Sequence, residues 1–251
     1  MLQSGLKHLG GKLIRMLADA DLSAVAELMV AKRATLLLAL MGGRPLTAGE
    51  LAERANISPS LASAHLSRLL DGGLITVAQT GRRRYYGLAG PEVAEVIEAA
   101  LTIAPARPVS GLRESRQGEA IRFVRTCYDH LAGAVGVALT DSLQRQRLLE
   151  STGSGFTLTS RGERRLEALG IDVDSLRHRR RAFARPCLDW TERRPHLAGA
   201  LGSGIAGRLL ELGWMRRIPG GRALRVTAEG EVALRAELGL NLAGIRRASA
   251  R

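Results

Sequence analysis

The sequence predicts a mostly α fold with small β-hairpin wings (α+β), arranged as two halves. Three observations carry this. Apolar residues recur at helical spacing through most of the chain, as in Leu22, Val25, Leu28, Met29, Leu36, Leu37 and Leu40. Helix boundary signals are frequent: a Thr three residues ahead of a Glu, Pro at first helical positions, Gly-Gly stops. Short β-branched or aromatic runs flank Gly/Arg turns. With 45% hydrophobic and 24% charged residues among 251, a packed core is expected. Only 3% are aromatic, which argues against sugar binding or single-strand stacking. Runs such as Ala34–Met41 and Leu131–Leu139 fall far short of the ~20 residues that cross a bilayer. Lys7, Lys12 and Arg15 interrupt any leader pattern. A cytoplasmic protein with no membrane partner is the expectation. The two cysteines stand 60 positions apart, without CxxC spacing and too few for a disulfide scaffold.

The first half, 1–105, begins with the 22–41 helix, stopped by Gly42-Gly43. Thr47 and Glu50 form a capping box for a short helix ending near Ala55. Ser58 is an N-cap and Pro59 a first helical residue for a helix to about Leu70, with Leu61, Leu66, Leu69 and Leu70 inward. Leu74–Val77 and Arg84–Leu88 read as strands joined through Thr80–Arg83. A last helix runs from Pro91 to Ile103, with Glu92, Glu95 and Glu98 toward solvent. Helix, short helix, turn, helix and basic hairpin is the winged helix-turn-helix order.

The quoted residues make a resemblance specific. Arg44-Pro45-Leu46-Thr47-Ala48-Gly49-Glu50-Leu51-Ala52, then Ser58 to Leu69, then Gly73-Leu74-Ile75, then Gly81-Arg82-Arg83-Arg84-Tyr85-Tyr86-Gly87-Leu88 resemble the ArsR family of bacterial transcriptional regulators over about 22–104. The resemblance implies a homodimer whose recognition helices enter successive major grooves of a palindromic operator in double-stranded DNA. It also implies repression that a ligand relieves, and a dimer surface on the N-terminal helix and the Pro91–Ile103 helix. The outer face of the 59–70 helix holds Ser60, Ser63, His65, Ser67 and Arg68. Small hydroxyls let the backbone approach a groove, and Arg68 suits a phosphate or a guanine. Arg82, Arg83 and Arg84 at the hairpin tip suit the minor groove or the DNA backbone; the plainer reading is a solvated charge run. Many relatives sense metals through cysteines on the first helix of the motif or through His and acidic ligands on the last helix. Here 47–55 has neither Cys nor His, and 91–104 has no His, so neither site is expected.

Ala106 to Gly118 carries Pro, Gly, Ser and charge without apolar period and reads as a linker. The net charge of +13 is uneven: +2 over 1–105, from 11 Lys+Arg against 9 Asp+Glu, and +11 over 106–251, from 26 against 15. That excess biases the chain toward nucleic acid or anionic surfaces. The second half, 119–242 with a basic tail at 243–251, contains an internal repeat. Cys127-Tyr128-Asp129-His130-Leu131-Ala132-Gly133-Ala134 recurs as Cys187-Leu188-Asp189-Trp190, a Thr191–Pro195 insert, then His196-Leu197-Ala198-Gly199-Ala200. Thr159-x-x-Gly162 recurs as Thr227-x-x-Gly230. Two winged-helix-like units are expected. The second has a Gly- and Ala-rich helix over 200–207 suited to packing rather than base reading, and a wing with Arg216, Arg217, Arg222 and Arg225 that offers a further DNA contact.

Cys127, Asp129, His130, Cys187, Asp189, Trp190, His196 and Trp214 form the effector constellation. Three readings stay open: buried structural residues with Asp129 or His196 capping the next helix, a pocket for a small organic or anionic effector walled by Trp190 and Trp214, or a metal or redox site should the two copies converge. The effector itself is not specified, and no cofactor is expected. A Cys127/Asp129/His130 enzyme is the distant rival, because adjacent helical residues do not share a face and no phosphate loop or oxyanion motif is present. The expected activity is that of a sequence-specific DNA-binding regulator.

Overall fold

The computed structural model describes residues 30–104, 111–153 and 155–249, which form two compact units. The first takes 30–38 and Pro45–Gly90; the second takes Ala39–Arg44 and Pro91 onward. The opening helix was expected from Leu22; 22–29 lie outside the described residues, and helix α1 spans Ala31–Leu40.

In the first unit, strand β1 (Leu46–Thr47) leads into α2 (Ala48–Ala55). The Thr47 hydroxyl accepts from the Glu50 amide, and the Thr47 amide donates 2.8 Å to the Glu50 carboxylate, a complete capping box. Asn56 ends the helix in the left-handed conformation. Helix α3 (Pro59–Asp71) starts at Ser58, whose side chain accepts from Leu61 N, with Pro59 in the first turn. Ala62, Leu66 and Leu69 face inward, against a core that includes Leu36, Leu37 and Leu51. Leu61, expected inside, is 43% exposed, because the inward stripe follows 62, 66 and 69. The wing is longer than expected: β2 (Ile75–Thr80) and β3 (Arg83–Leu88) pair in full register around Gly81 and Arg82, and β1 adds to β3 through Leu46–Tyr86.

The second unit opens with α4 (Pro91–Ile103). Residues 105–110 of the expected linker lie outside the described residues, and its remainder is not irregular: α5 spans Leu112–Phe123. Then come hairpin β4 (Arg125–Cys127) and β5 (His130–Ala132), α6 (Ala134–Arg145), hairpin β6 (Leu149–Thr152) and β7 (Gly155–Leu158), and α7 (Ser160–Ala168). After the short α8 (Val173–Arg177), the same order recurs: β8 (Arg185–Leu188), β9 (Pro195–Ala198), α9 (Gly199–Glu211), β10 (Met215–Arg217), β11 (Leu224–Val226) and α10 (Ala228–Leu238). The packing is crosswise, α6 on β9 and α9 on β5, over a core that includes Leu139, Leu143, Leu201, Leu209 and Leu234. The expected basic tail is instead a helix, α11 (Leu242–Ser249): Leu242 is buried, Ile245 packs on the core, and the Arg246 guanidinium lies 4.0 Å from the Phe123 ring centre.

The Thr-x-x-Gly pairs are helix starts. Thr159 and Thr227 accept from the amides of Gly162 and Gly230, each at 3.0 Å. A Cβ on either glycine would stand 2.1 Å from the carbonyl oxygen of Leu148 or Trp214. Gly162→Ala is therefore expected to destabilise by about 2 kcal/mol, since backbone must move. Gly207→Ala, on α9 with nothing within 4 Å of the new methyl, is expected to be neutral or stabilising by up to about 1 kcal/mol. Urea unfolding of the two variants measures the contrast.

Candidate functional site

Two sets of residues stand out, one in each unit. In the first, α3 leaves Ser60, Ser63, Ser67 and Arg68 exposed and His65 half-buried. The Ser63 hydroxyl donates 2.9 Å to the Pro59 carbonyl, so its oxygen retains accepting capacity. Arg82, Arg83 and Arg84 are all exposed at the end of the β2–β3 wing, with Arg84 5.7 Å from the centre of the Tyr86 ring.

In the second unit the two hairpins converge. Cys127 pairs across its hairpin with His130, and Cys187 with His196. Directly paired residues on antiparallel strands project to the same side, so each hairpin presents one thiol and one imidazole together. Tyr128, at φ 59, and Asp129 close the first hairpin tightly; the second spans Asp189–Arg194 within its loop. The two sulfurs lie 3.9 Å apart and the two Nε2 atoms 3.1 Å apart. All four residues are buried, and one donor atom from each lies within 4.8 Å of every other.

Gly202 makes room for the opposing hairpin, while Gly136 meets it only at ordinary contact distance. A Cβ at Gly136 would lie 3.8 Å from the Cβ of His196, and one at Gly202 would lie 3.3 Å from the Cβ of His130. Both positions also abut carbonyls, of Leu131 and Leu197, at 2.6 and 2.4 Å. The Gly- and Ala-rich helix is thus a packed element, with Ala200, Gly202, Ile205 and Ala206 buried.

A carboxylate stands behind each imidazole. Asp129 Oδ1 is 3.3 Å from His130 Nδ1, and Asp189 Oδ2 is 3.5 Å from His196 Nδ1. The expected helix-capping role of Asp129 or His196 does not occur: α6 and α9 begin at Gly133 and Ala198 without side-chain caps. Burial works against the Asp129 charge, but His130 and Arg181 outweigh it and hold its carboxyl at about 2. Burial likewise opposes the Asp189 charge; Arg125, Thr191 and the Gly133 amide overcome it and bring this carboxyl to about 2. Burial lowers His130, while Asp129 and Cys187 raise it above its ordinary value overall. The thiols split: the hydrogen bond between them raises Cys127 and lowers Cys187, and both imidazoles further favour the Cys187 thiolate.

Asp189 also joins the hairpins. Its Oδ1 accepts from the Thr191 amide and hydroxyl and from Glu192 N. Its Oδ2 accepts from Gly133 N at 2.6 Å and from Arg125 at 3.0 Å. Arg125 is fully buried, also donates 3.3 Å to Glu98, and lies 5.2 Å from the centre of the Trp190 ring. Glu98, expected toward solvent, is 1% exposed and additionally bonds Arg222. Glu95 bonds Arg185. Arg222 is thereby withdrawn from the suspected second wing, and Arg217 donates to the Gly42 carbonyl. Arg216 and Arg225 remain exposed. Arg225, with Arg116, Arg122, Arg246 and the acidic Glu119, lines a groove of about 710 Å³ together with Phe123 and Leu224. Trp190 and Trp214 do not serve as paired walls: Trp190 covers Arg125, and Trp214 lines a different, shallow groove with Arg208 and Leu212.

Comparison with known proteins places this architecture. A family model for a helix-turn-helix domain matches residues 31–78. YdfF of Bacillus subtilis (strain 168), an uncharacterized HTH-type transcriptional regulator, is 48% identical over 210 residues, covering 84% of this chain and 93% of its own. The chain belongs to the HTH-type transcriptional regulators. Among solved structures, the homodimeric winged helix-turn-helix DNA-binding domain of Mb0332 from Mycobacterium bovis, a possible ArsR-family regulator, is 25% identical with a TM-score of 0.31, covering 37% of this chain and 82% of that one. NolR from Sinorhizobium fredii is 22% identical with a TM-score of 0.30, covering 43% and 99%. Among the described residues of this regulator, no helix is long and apolar enough to cross a membrane.

Arg125 escaped the sequence reading, in which Glu98 faced solvent and Arg222 belonged to a wing; both are buried in the ion-pair network. A signal for Glu98 was present: it lies four residues after the buried Ala94 and directly follows the buried Ile97, on the inward stripe of α4. Arg125 and Arg185 each stand two residues before a repeated cysteine, a correspondence that also marked them.

Arg125→Met removes the guanidinium partner of buried Asp189 and one of the two guanidinium partners of Glu98, and is expected to cost about 3–5 kcal/mol. Arg177→Ala, which breaks an exposed pair with Glu163, is expected to cost less than about 1 kcal/mol. Denaturant midpoints of both variants test this. Acid provides a second check. Asp189 binds its proton more weakly folded, at about 2, than unfolded, near 3.8, so its contribution is complete above pH 4 and drains away as pH falls toward 2. That contribution is about 2 kcal/mol, and Asp189→Asn should flatten the stability–pH slope in this window.

Proposed function

We propose that this regulator binds a specific site in double-stranded DNA as a homodimer, with α3 in the major groove and the β2–β3 wing on the flanking backbone or minor groove. The observation that carries the reading is the outward face of α3: Ser60, Ser63, Ser67 and Arg68 are exposed on a helix whose start is fixed by Ser58 and Pro59. Three exposed arginines follow at the wing. Small hydroxyls allow close approach to base edges, and a serine oxygen whose proton is already committed to Pro59 accepts from adenine N6 or cytosine N4. The resemblance to the ArsR family supports a palindromic operator and repression relieved by a small effector. The groove lined by Arg116, Arg122, Arg225 and Arg246, together with Glu119, Phe123 and Leu224, offers cations beside apolar side chains to an anionic effector. The second unit is read as two related winged-helix-like halves, on the strength of their matching element order.

Fluorescence anisotropy on the duplex upstream of the regulator's own gene, against a scrambled duplex across a salt series, tests the reading. A preference of about a thousandfold or more supports it. Weak binding, equal on both duplexes and steeply salt-dependent, would count against it. Arg83→Ala should weaken binding to every sequence alike and reduce the salt slope by about 0.9. Ser63→Ala should instead change which bases are preferred. Unchanged binding in both variants overturns the assignment of helix and wing.

A further inference from the structure

We propose that Cys127, His130, Cys187 and His196 form a four-ligand site for a thiophilic divalent cation, best matched by zinc, that clasps the two hairpins of the second unit. The geometry carries it. Tetrahedral zinc with sulfur at about 2.3 Å and nitrogen at 2.0–2.1 Å places two thiolates about 3.8 Å apart and two imidazole nitrogens about 3.4 Å apart. The sulfurs here are 3.9 Å apart and the Nε2 atoms 3.1 Å apart. Two sulfur and two nitrogen ligands in this arrangement suit zinc better than magnesium or calcium, which take oxygen.

The surroundings of the imidazoles supply an independent argument. Asp129 faces His130 Nδ1 and is itself engaged by Arg181; Asp189 faces His196 Nδ1 and is engaged by Arg125. An ionised carboxylate accepts only, so the Asp129 contact favours the proton on His130 Nδ1 and a lone pair on its Nε2, whereas His196 Nδ1, 3.5 Å from Asp189, is buried without a hydrogen bond. The two Nε2 atoms face one another across 3.1 Å, with two sulfurs beside them. A shared proton relieves one such contact. A cation at the centre satisfies all four donors at once. Carboxylates that orient metal-bound imidazoles through the distal nitrogen are the usual outer shell of a zinc site.

Every ligand comes from the protein and every one is buried, leaving no open coordination position for a substrate. The role is therefore structural. Each hairpin supplies one Cys and one His, so neither completes the site alone, and the ion fastens together two segments whose cysteines are 60 residues apart in sequence. Binding coordinates the thiols as thiolates and releases their protons to solvent, without any redox change.

The test uses the full chain purified under reducing conditions. Expected are about one equivalent of zinc per chain by elemental analysis and a fall in melting temperature on chelation that added Zn²⁺ reverses. Co²⁺ added to the stripped protein should give the visible ligand-field bands of a tetrahedral ion and thiolate-to-cobalt charge transfer in the near ultraviolet. Cys187→Ser should weaken the charge transfer, and His196→Gln should shift the ligand-field bands. Should either variant lose its fold, the cobalt spectrum of the unsubstituted chain is decisive by itself. A reduced, folded chain that takes up neither ion overturns the proposal. So does a Cys127–Cys187 disulfide in the isolated protein that, once reduced, still leaves a chain unresponsive to Co²⁺.

Discussion

The buried guanidinium of Arg125 is the constraint around which the second unit is organised. A charge with no access to water must be neutralised within hydrogen-bonding distance, or its desolvation outweighs anything packing returns. Arg125 meets that demand with Asp189 from the loop of one hairpin and Glu98 from α4. Glu98 in turn holds Arg222 beside the β10–β11 hairpin. Four charged side chains from four segments thereby fix one another, and α4 is drawn into the unit that contains its ionic partners.

The same carboxylate sets the fine geometry beside it. Asp189 accepts from the Gly133 amide at the start of α6, so the second loop is tied to the first hairpin. Gly133 and Gly199 both adopt positive φ, at 79° and 83°, and each would drive a Cβ into a carbonyl one segment back. Backbones packed this closely hold the two Cys–His pairs face to face, and Gly202 leaves room for His130 of the opposing hairpin. The second loop is longer than the first because it has a further task. Its Asx turn, with Thr191 and Glu192 bonded back to Asp189, positions the carboxylate that serves Arg125, Gly133 and His196 together.

The first unit is governed by local rules. A capping box, a Pro-initiated helix, a left-handed Asn stop and a Gly-led wing each follow from a few neighbouring residues. That economy leaves the outer side of α3 unconstrained by packing, and the residues found there are small, polar or cationic. The second unit behaves differently. Its arginines, numerous in sequence, are partly consumed by internal carboxylates, so the +11 charge of the second half overstates its free cationic surface.

The elements of the helix-turn-helix segment were legible in the sequence, because caps, stops and period-two or helical patterning are local properties of the chain; the hairpins at Arg125–Ala132 and Arg185–Ala198 were not, and Asp129 and His130, read there as helical neighbours, close a hairpin instead. The candidate metal ligands were legible as residues but not as a site. Cys127-x-Asp129 recurs visibly as Cys187-x-Asp189, with His196 displaced by the Thr191–Pro195 insert, yet convergence depends on how closely the two hairpins approach. Glu98 illustrates the same limit: as one of three glutamates on a helix it reads as solvated, and only the arrival of Arg125 and Arg222 makes burial tolerable. The reverse holds for the expected basic tail, of which the part up to Ser249 is helical, with Ile245 on the core and Arg246 over the Phe123 ring. By itself the sequence determined the helices and wing of the helix-turn-helix segment and which face of α3 stays polar. Tertiary structure alone decided which charges are buried, which cysteines and histidines meet, and where one unit ends, because each depends on a partner distant in the chain.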